Sequence, residues 1–344
     1  GSILLGLLND ILDLSKVEAG QLQLEAIPFD LASLAEETAN LLSQNAAEHV
    51  ELTCLIDPHL AGTVVGDPTR IRQIISNLLS NALKFTHVGR VDLRIKQTPS
   101  GVQIIVRDTG IGIALAAQSR IFQAFTQAGP DITRQYGGTG LGLALTSTLC
   151  EAMHGKLSLV SHEGVGSQFC VDLPLLSQEP PISKPALQGH ITALLDDGSG
   201  LAELLATHLP AWGLVYQRLD ESCERTALSA DLLICASPSL LMTLRPASSA
   251  PLLLIGRHGS FLSPEQSAHL APFAQLAQPL TREQLYRVLS QLLQPQSDLT
   301  DSACAQPDEP AARQQAPRVL LVEDNTVNQM VAKGMLSKLG CEVL

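Results

Sequence analysis

Residues 77–112 read NLLSNALKFTHVGRVDLRIKQTPSGVQIIVRDTGIG. Asn77, Asn81 and Lys84 fall at i, i+4 and i+7, one face of a helix predicted over 68–85. Two strands follow directly, at 90–97 and 102–108. Strands paired next to each other in sequence predict an α+β layer rather than a doubly wound sheet. The stretch closes on Asp108-Thr-Gly110-Ile-Gly112, an acid at a strand end followed by two glycines. Amide oxygens such as those of Asn77 and Asn81 are suitable ligands for a hard cation like Mg²⁺, and a nearby lysine can hold phosphate. The carboxylate can accept a hydrogen bond from an exocyclic amine, and the glycines let backbone approach a ligand closely. Taken singly, the first motif is a polar stripe and the second an ordinary turn.

Working outward, a helix is predicted at 30–48 and a strand at 51–56. Downstream, Ile121-Phe122-Gln-Ala-Phe125 carries two aromatics at the end of a short helix, which core packing alone would explain. Gly137-Gly138-Thr139-Gly140-Leu141-Gly142-Leu143 then opens an apolar helix over 139–154, where free N–H groups and the helix dipole favour phosphate. The cluster fits neither the spacing of a dinucleotide-binding fingerprint nor the Lys-Ser/Thr of a P-loop. Following Gln127–Gln135, it reads as a lid over a nucleotide. Strands at 156–161 and 167–174 complete the layer.

These four motifs, in this order, resemble the N box, first glycine box, F box and second glycine box of the histidine-kinase ATP-binding domain. That domain has the Bergerat fold, an α+β sandwich shared with gyrase, a heat-shock chaperone family and mismatch-repair ATPases. The resemblance extends over 1–176. Asn9–Gly20 is similar to the end of the second dimerisation helix, Gly66–Arg70 to the lead-in of the N box and Gly164–Ser167 to the final hairpin. It implies ATP and Mg²⁺ as cofactors. It assigns Asp108 to the adenine amine, Asn81 to the metal, Asn77 to phosphates and metal, and Lys84 to the phosphates. Gly138, Gly140 and Gly142 would give the lid its hinge. Phe85, Gly110, Gly112, Phe125, Thr139 and Leu141 complete the nucleotide-binding set. Chaperone and repair ATPases of this fold use a glutamate near the metal-binding asparagine, where this chain has Asn77, and that favours the kinase.

No histidine stands in the H-E/D-x-x-x-P setting of the family's phosphoacceptor, so the chain holds no catalytic acceptor of its own. Residues 3–20 carry Leu4, Leu8, Ile11 and Leu12 on one helical face, which predicts pairing across a homodimer, with packing on its own domain as the alternative that spacing leaves open. Residues 177–188 read as a linker. Residues 189–294 alternate strands and helices, predicting a parallel, flavodoxin-like sheet that resembles a response-regulator receiver. Asp196-Asp197 match its acidic pair. Its acceptor aspartate falls on Ala236, its Ser/Thr on Gly256 and its lysine on Gln278, so it resembles a degenerate receiver, a scaffold rather than a phosphoacceptor. Residues 295–317 read as a second linker. Residues 318–344 resemble the start of a second receiver, with Glu323 and Asp324 as its Mg²⁺-binding pair and its acceptor beyond Leu344. A lone βα piece buries little surface, so 295–344 is expected to be mobile.

The net charge of −12 argues against nucleic acid or an anionic membrane as a general partner. Seven scattered cysteines without a C-x-x-C argue against a disulfide scaffold and fit a reducing compartment. No apolar run is long enough to span a bilayer. Both ends read as cuts in a longer protein. The expectation is a fragment of a bacterial hybrid sensor histidine kinase: cytoplasmic, with any inner-membrane anchor upstream, passing phosphoryl groups to a response regulator or phosphotransfer protein. The rival is a regulatory pseudokinase scaffold acting through dimerisation and protein interaction.

Overall fold

The computed structural model describes residues 11–13, 15–17, 19, 21–47, 49–60, 62–124, 140–177, 180, 184–195, 199–219, 230–239, 241, 248–256 and 262–293, with the backbone of 318–319 and 342–343. The elements are β1 (Ile27–Phe29), α1 (Leu31–Ser43), β2 (Val50–Ile56), β3 (Val64–Gly66), α2 (Pro68–Phe85), β4 (Gly89–Thr98), β5 (Gly101–Asp108), α3 (Leu115–Gln118), α4 (Gly142–Ala152), β6 (Lys156–His162), β7 (Gly166–Leu173) and β8 (Leu176–Ser177). They continue with β9 (His190–Leu194), α5 (Gly200–Ala211), β10 (Val215–Leu219), β11 (Leu232–Cys235), β12 (Leu252–Gly256), α6 (Pro264–Ser267), β13 (Phe273–Ala277), α7 (Arg282–Leu293), β14 (Arg318–Val319) and β15 (Glu342–Val343).

Helix α2 has the bounds its sequence dictates. Asp67 caps it by accepting the Arg70 N–H at 3.0 Å, and Pro68 opens the first turn. Ile71, Ile74, Ile75, Leu78, Leu79, Ala82 and Leu83 recur at helical spacing and are all buried. The helix stops where Thr86 turns extended. Helix α1 starts on the Asp30 cap, which accepts the Ser33 N–H at 3.0 Å. It ends at Ser43, five residues short of the expected 48. There Asn45 and Ala46 donate to the carbonyls three residues back, a tightened last turn. The expected 139–154 helix is described from Gly142 to Ala152.

Strands β2-β4-β5-β7-β6 form one sheet, parallel between β2 and β4 and antiparallel elsewhere. Helices α1, α2 and α4 share its main core, with Leu31, Ile71, Ile75, Leu79, Leu93, Ile104 and Leu145 fully buried. The short strands β1, β3 and β8 make a second, three-stranded sheet that the sequence reading did not resolve, and β8 draws Ser177 out of the expected linker. The third sheet is all parallel, ordered β10-β9-β11-β12-β13. This is the flavodoxin-like order. Its edge strands β10 and β13 mix polar with apolar residues and were also missed.

The chain falls into two compact units, Gly1–Gln294 and Pro295–Leu344. The three sheets above belong to the first. In the second, β14 and β15 pair in parallel. Glu323 and Asp324 lie outside the described residues, as do Asp196 and Asp197 and most of the 3–20 stripe. The expected mobility of 295–344 likewise falls largely outside them.

Candidate nucleotide site

Helix α2 carries Asn77, Asn81, Lys84 and Phe85 on its C-terminal half, all half-buried. Opposite Asn77 stands the start of α4. The Asn77 amide donates to the Gly142 carbonyl at 3.3 Å and approaches the Thr146 hydroxyl at 3.5 Å, while Thr146 donates to the same carbonyl at 2.8 Å. The first and last motifs of the sequence are thus in contact. Asn81 makes no side-chain hydrogen bond among the described residues. Lys84 Nζ lies 5.0 Å from the Phe85 ring centroid, and burial pulls its amine below the ordinary 10.5.

Strand β5 delivers Asp108 to the C-terminal end of α2. The Ile111 N–H donates to the Phe85 carbonyl at 3.2 Å, tying the glycine-flanked loop to the helix. Asp108 is buried, and its Oδ1 accepts the N–H of Gly110 at 2.9 Å and of Ser167 at 3.3 Å. Oδ2 has no partner among the described residues. Burial raises the carboxyl above its ordinary 3.8, and the two backbone N–H donors offset only part of that. A buried carboxylate with one oxygen fixed and the other open is a directed acceptor. Gly112 turns the loop at φ +67°, and a Cβ there would stand 2.0 Å from the His162 carbonyl oxygen. The next residue, Ile113, donates its N–H to Ser161 Oγ at 2.8 Å.

Gly140 and Leu141 lead into α4, and Gly142 is its first residue. Phe125, Gly138 and Thr139 lie outside the described residues. Phe122 is half-buried against the core, edge-on to Phe169 at 6.5 Å, in line with a packing role. The sequence reading missed Thr146, which orders Asn77, and Ser161 and Ser167, which hold the loop below Asp108. Thr146 was reachable, one turn beyond Gly142 on the same helix. Ser161 had no signal, since its role comes from sheet register.

The residues therefore converge as a polar helix face, a directed buried carboxylate and a glycine-led helix N-terminus. Residues 66–177 match the family described as histidine kinase-, DNA gyrase B-, and HSP90-like ATPase. The chain carries an ATPase domain of this family. The likeness extends well past that domain. The sensor histidine kinase GacS of Pseudomonas protegens is 32% identical across 99% of this chain. The sensor histidine kinase RcsC of Salmonella typhimurium is 32% identical across 98%. The chain spans 40% of the first relative and 35% of the second. A full-length crystal structure of ShkA in complex with AMPPNP aligns with a TM-score of 0.69 and 29% identity, covering 99% of this chain and 71% of that one. The Bergerat-type reading of the fold is borne out.

The third sheet adds a second set of positions. Ala236 directly follows β11, Gly256 ends β12 and Gln278 directly follows β13. These strands are neighbours, so the three positions share the C-terminal edge of the parallel sheet. The Gln278 N–H donates to the Gly256 carbonyl at 2.9 Å. No side chain among these three can accept a phosphoryl group as a carboxylate would.

Proposed function

We propose that this chain is the ATP-binding core of a sensor histidine kinase, which passes the γ-phosphoryl of ATP to a histidine elsewhere in the kinase and onward to a receiver aspartate. The observation that carries this reading is Asp108. Its open Oδ2 sits on the loop tied to the end of α2, the helix that bears Asn77, Asn81 and Lys84. Adenine binds with its exocyclic amine on Asp108, and the phosphates extend toward Lys84 and the N-terminus of α4. The lid is formed around Gly138, Gly140 and Gly142, with Phe85, Gly110, Gly112, Phe125, Thr139 and Leu141 in the binding set.

A magnesium ion fits the donor set: Asn81 is half-buried with no competing hydrogen bond among the described residues, and the Asn77 amide is oriented from α4. Asn81 and Asn77 would hold the ion, which would supply positive charge to offset that of the phosphates. What the chain itself supplies is position and electrostatics, which dominate phosphoryl transfer. Asp108 orients the base, Lys84 offsets phosphate charge, and the N-terminal end of α4 faces the anion.

The kinase works as a homodimer through the helix that precedes the ATPase domain. Asp13 accepts from Arg70 Nη1 at 2.7 Å and from Gln73 at 3.1 Å, seating that helix on α2, while Ile11 and Leu12 remain exposed for a partner helix. Its downstream partner is a response regulator or phosphotransfer protein, and the Glu323–Asp324 pair serves a second receiver. Among the described residues no helix is long and apolar enough to cross a membrane. We place the chain in the cytoplasm, with any anchor upstream. Residues 189–294 have Ala236 at the acceptor position and act as a scaffold.

Calorimetry with a non-hydrolysable ATP analogue, with and without Mg²⁺, tests the site. Saturable, Mg²⁺-dependent binding that Asp108→Ala abolishes is expected. An intact chain that binds nothing would favour the pseudokinase scaffold.

A further inference from the structure

Helix α5 begins the third sheet's outer layer, and the N–H groups of Gly200, Leu201 and Ala202 in its first turn have no intrahelical acceptor. Ala202 is satisfied locally, by the Ser199 hydroxyl at 3.1 Å. The other two are not. Gly200 donates to Glu51 Oε2 at 3.3 Å and Leu201 to Glu51 Oε1 at 3.2 Å. Glu51 belongs to β2 of the ATPase domain, 149 positions upstream of Gly200. Helix α7 repeats the arrangement. The Arg282 N–H donates at 2.9 Å to Oε1 of Glu36, on α1 of the ATPase domain, and its Nε does so at 3.1 Å. Both carboxylates are nearly inaccessible, Glu36 at 6% and Glu51 at 9%.

These two helices follow β9 and β13, so their N-termini lie at the C-terminal edge of the parallel strands. That is the edge of Ala236, Gly256 and Gln278. The ATPase domain thus places two carboxylates at helix N-termini, where the dipole favours anions.

Independent contacts complete the seat. Along β2 the outward residues are Glu51, Thr53 and Leu55, registered beside Arg90, Asp92 and Arg94 of β4. Leu55 is buried in the core of the receiver-like domain, with Leu201, Leu205 and Trp212. Arg94 forks onto Glu203 of α5, its Nη2 at 2.8 Å from Oε2, and also contacts Asp92. Gly200 lies so close against the Thr53 side chain that a Cβ there would meet Thr53 Oγ1 at 2.0 Å and Thr53 Cβ at 2.8 Å.

We propose that residues 189–293 are a constitutive, phosphorylation-independent brace on the ATPase domain, docked through this edge by Glu51 and Glu36 in place of any phosphoryl chemistry. The proposal stands apart from the nucleotide reading, since the seat is made by Glu36 of α1 and the outer face of β2 and β4 and uses none of the binding residues.

Gly200 gives a test whose sign depends on docking. In an undocked α5, Gly200→Ala replaces the poorest non-proline helix former by the best, and the full chain should melt higher. In a docked α5 the added methyl strikes Thr53, and the chain melts lower. Adding Thr53→Ala removes Oγ1, which has no hydrogen-bond partner among the described residues, and should recover part of the loss. In parallel, hydrogen exchange at Gly200 and Leu201 should accelerate about tenfold or more in Glu51→Ala, as expected for a lost hydrogen bond to a charged group. A higher melting temperature in Gly200→Ala, a fall that Thr53→Ala does not relieve, or unchanged exchange in Glu51→Ala would each overturn the brace.

Discussion

Replacing Asp108 by Asn changes one atom of the site's most directed group. The loop N–H groups of Gly110 and Ser167 are both donors and both converge on Oδ1. They select the amide orientation that keeps oxygen there, so the loop survives and the open position becomes an NH₂ donor. Facing the adenine amine, that is donor against donor. A hydrogen bond to a charged group contributes about 1.5–3 kcal/mol, or about 10- to 150-fold in affinity. An adenine nucleotide should weaken by that amount. An inosine nucleotide carries a carbonyl where adenine carries its amine, and it should weaken far less or bind better. Calorimetric titration of both analogues against wild type and Asp108→Asn gives the ratio. Equal losses for the two bases would mean that Asp108 acts through the fold and not on the base. No loss for either would remove it from the site.

Burial raises the Asp108 carboxyl above 3.8, so adenine affinity should fall with acidification at a higher pH than an ordinary aspartate would allow. Titrations of the analogue at successive pH values check this, and Asp108→Asn should flatten the dependence. Gly112→Ala forces a β-carbon into the left-handed region and against the His162 carbonyl. It should cost at least about 1–2 kcal/mol in urea unfolding, and an unchanged midpoint would contradict the loop geometry. His208 is buried and stacked on Trp212, and burial first, then the nearby Arg282 charge, depresses its pKa to about 4. Its folded value lies below the ordinary 6.5, so it contributes stability above pH 6.5 that is lost as pH falls toward 4, by about 1.4 kcal/mol per pH unit. The difference in unfolding free energy between wild type and His208→Phe should show that slope, and a constant difference across the window would refute it.

Local chemistry made part of the molecule legible. Asp67, Pro68 and an unbroken apolar period delimit α2 without any tertiary information, whereas the Asn77–Gly112 stretch reads singly as a polar stripe and a turn and points to a nucleotide only as part of four motifs in order. Helix α1 was overdrawn because the apolar and alanine pattern of 41–47 continues past the turn that ends it. Strands β10 and β13 were missed because edge strands are half-exposed and lose the apolar run of a buried one. Strands β1, β3 and β8 are too short to show a period. At the site, the Ser167 N–H reaches Asp108 across 59 positions, a consequence of β5–β7 register. The Glu51 cap on α5 is further still from anything a local pattern can encode.

The most direct measurement supplies a histidine acceptor. The chain is incubated with Mg²⁺ and ATP labelled at the γ-phosphorus, together with a dimerisation helix segment bearing the phosphoacceptor histidine. Acid-labile label on that histidine, abolished by Asp108→Ala, is the expected result. Saturable ATP binding without any label on the histidine would contradict a kinase and leave an ATP-binding scaffold.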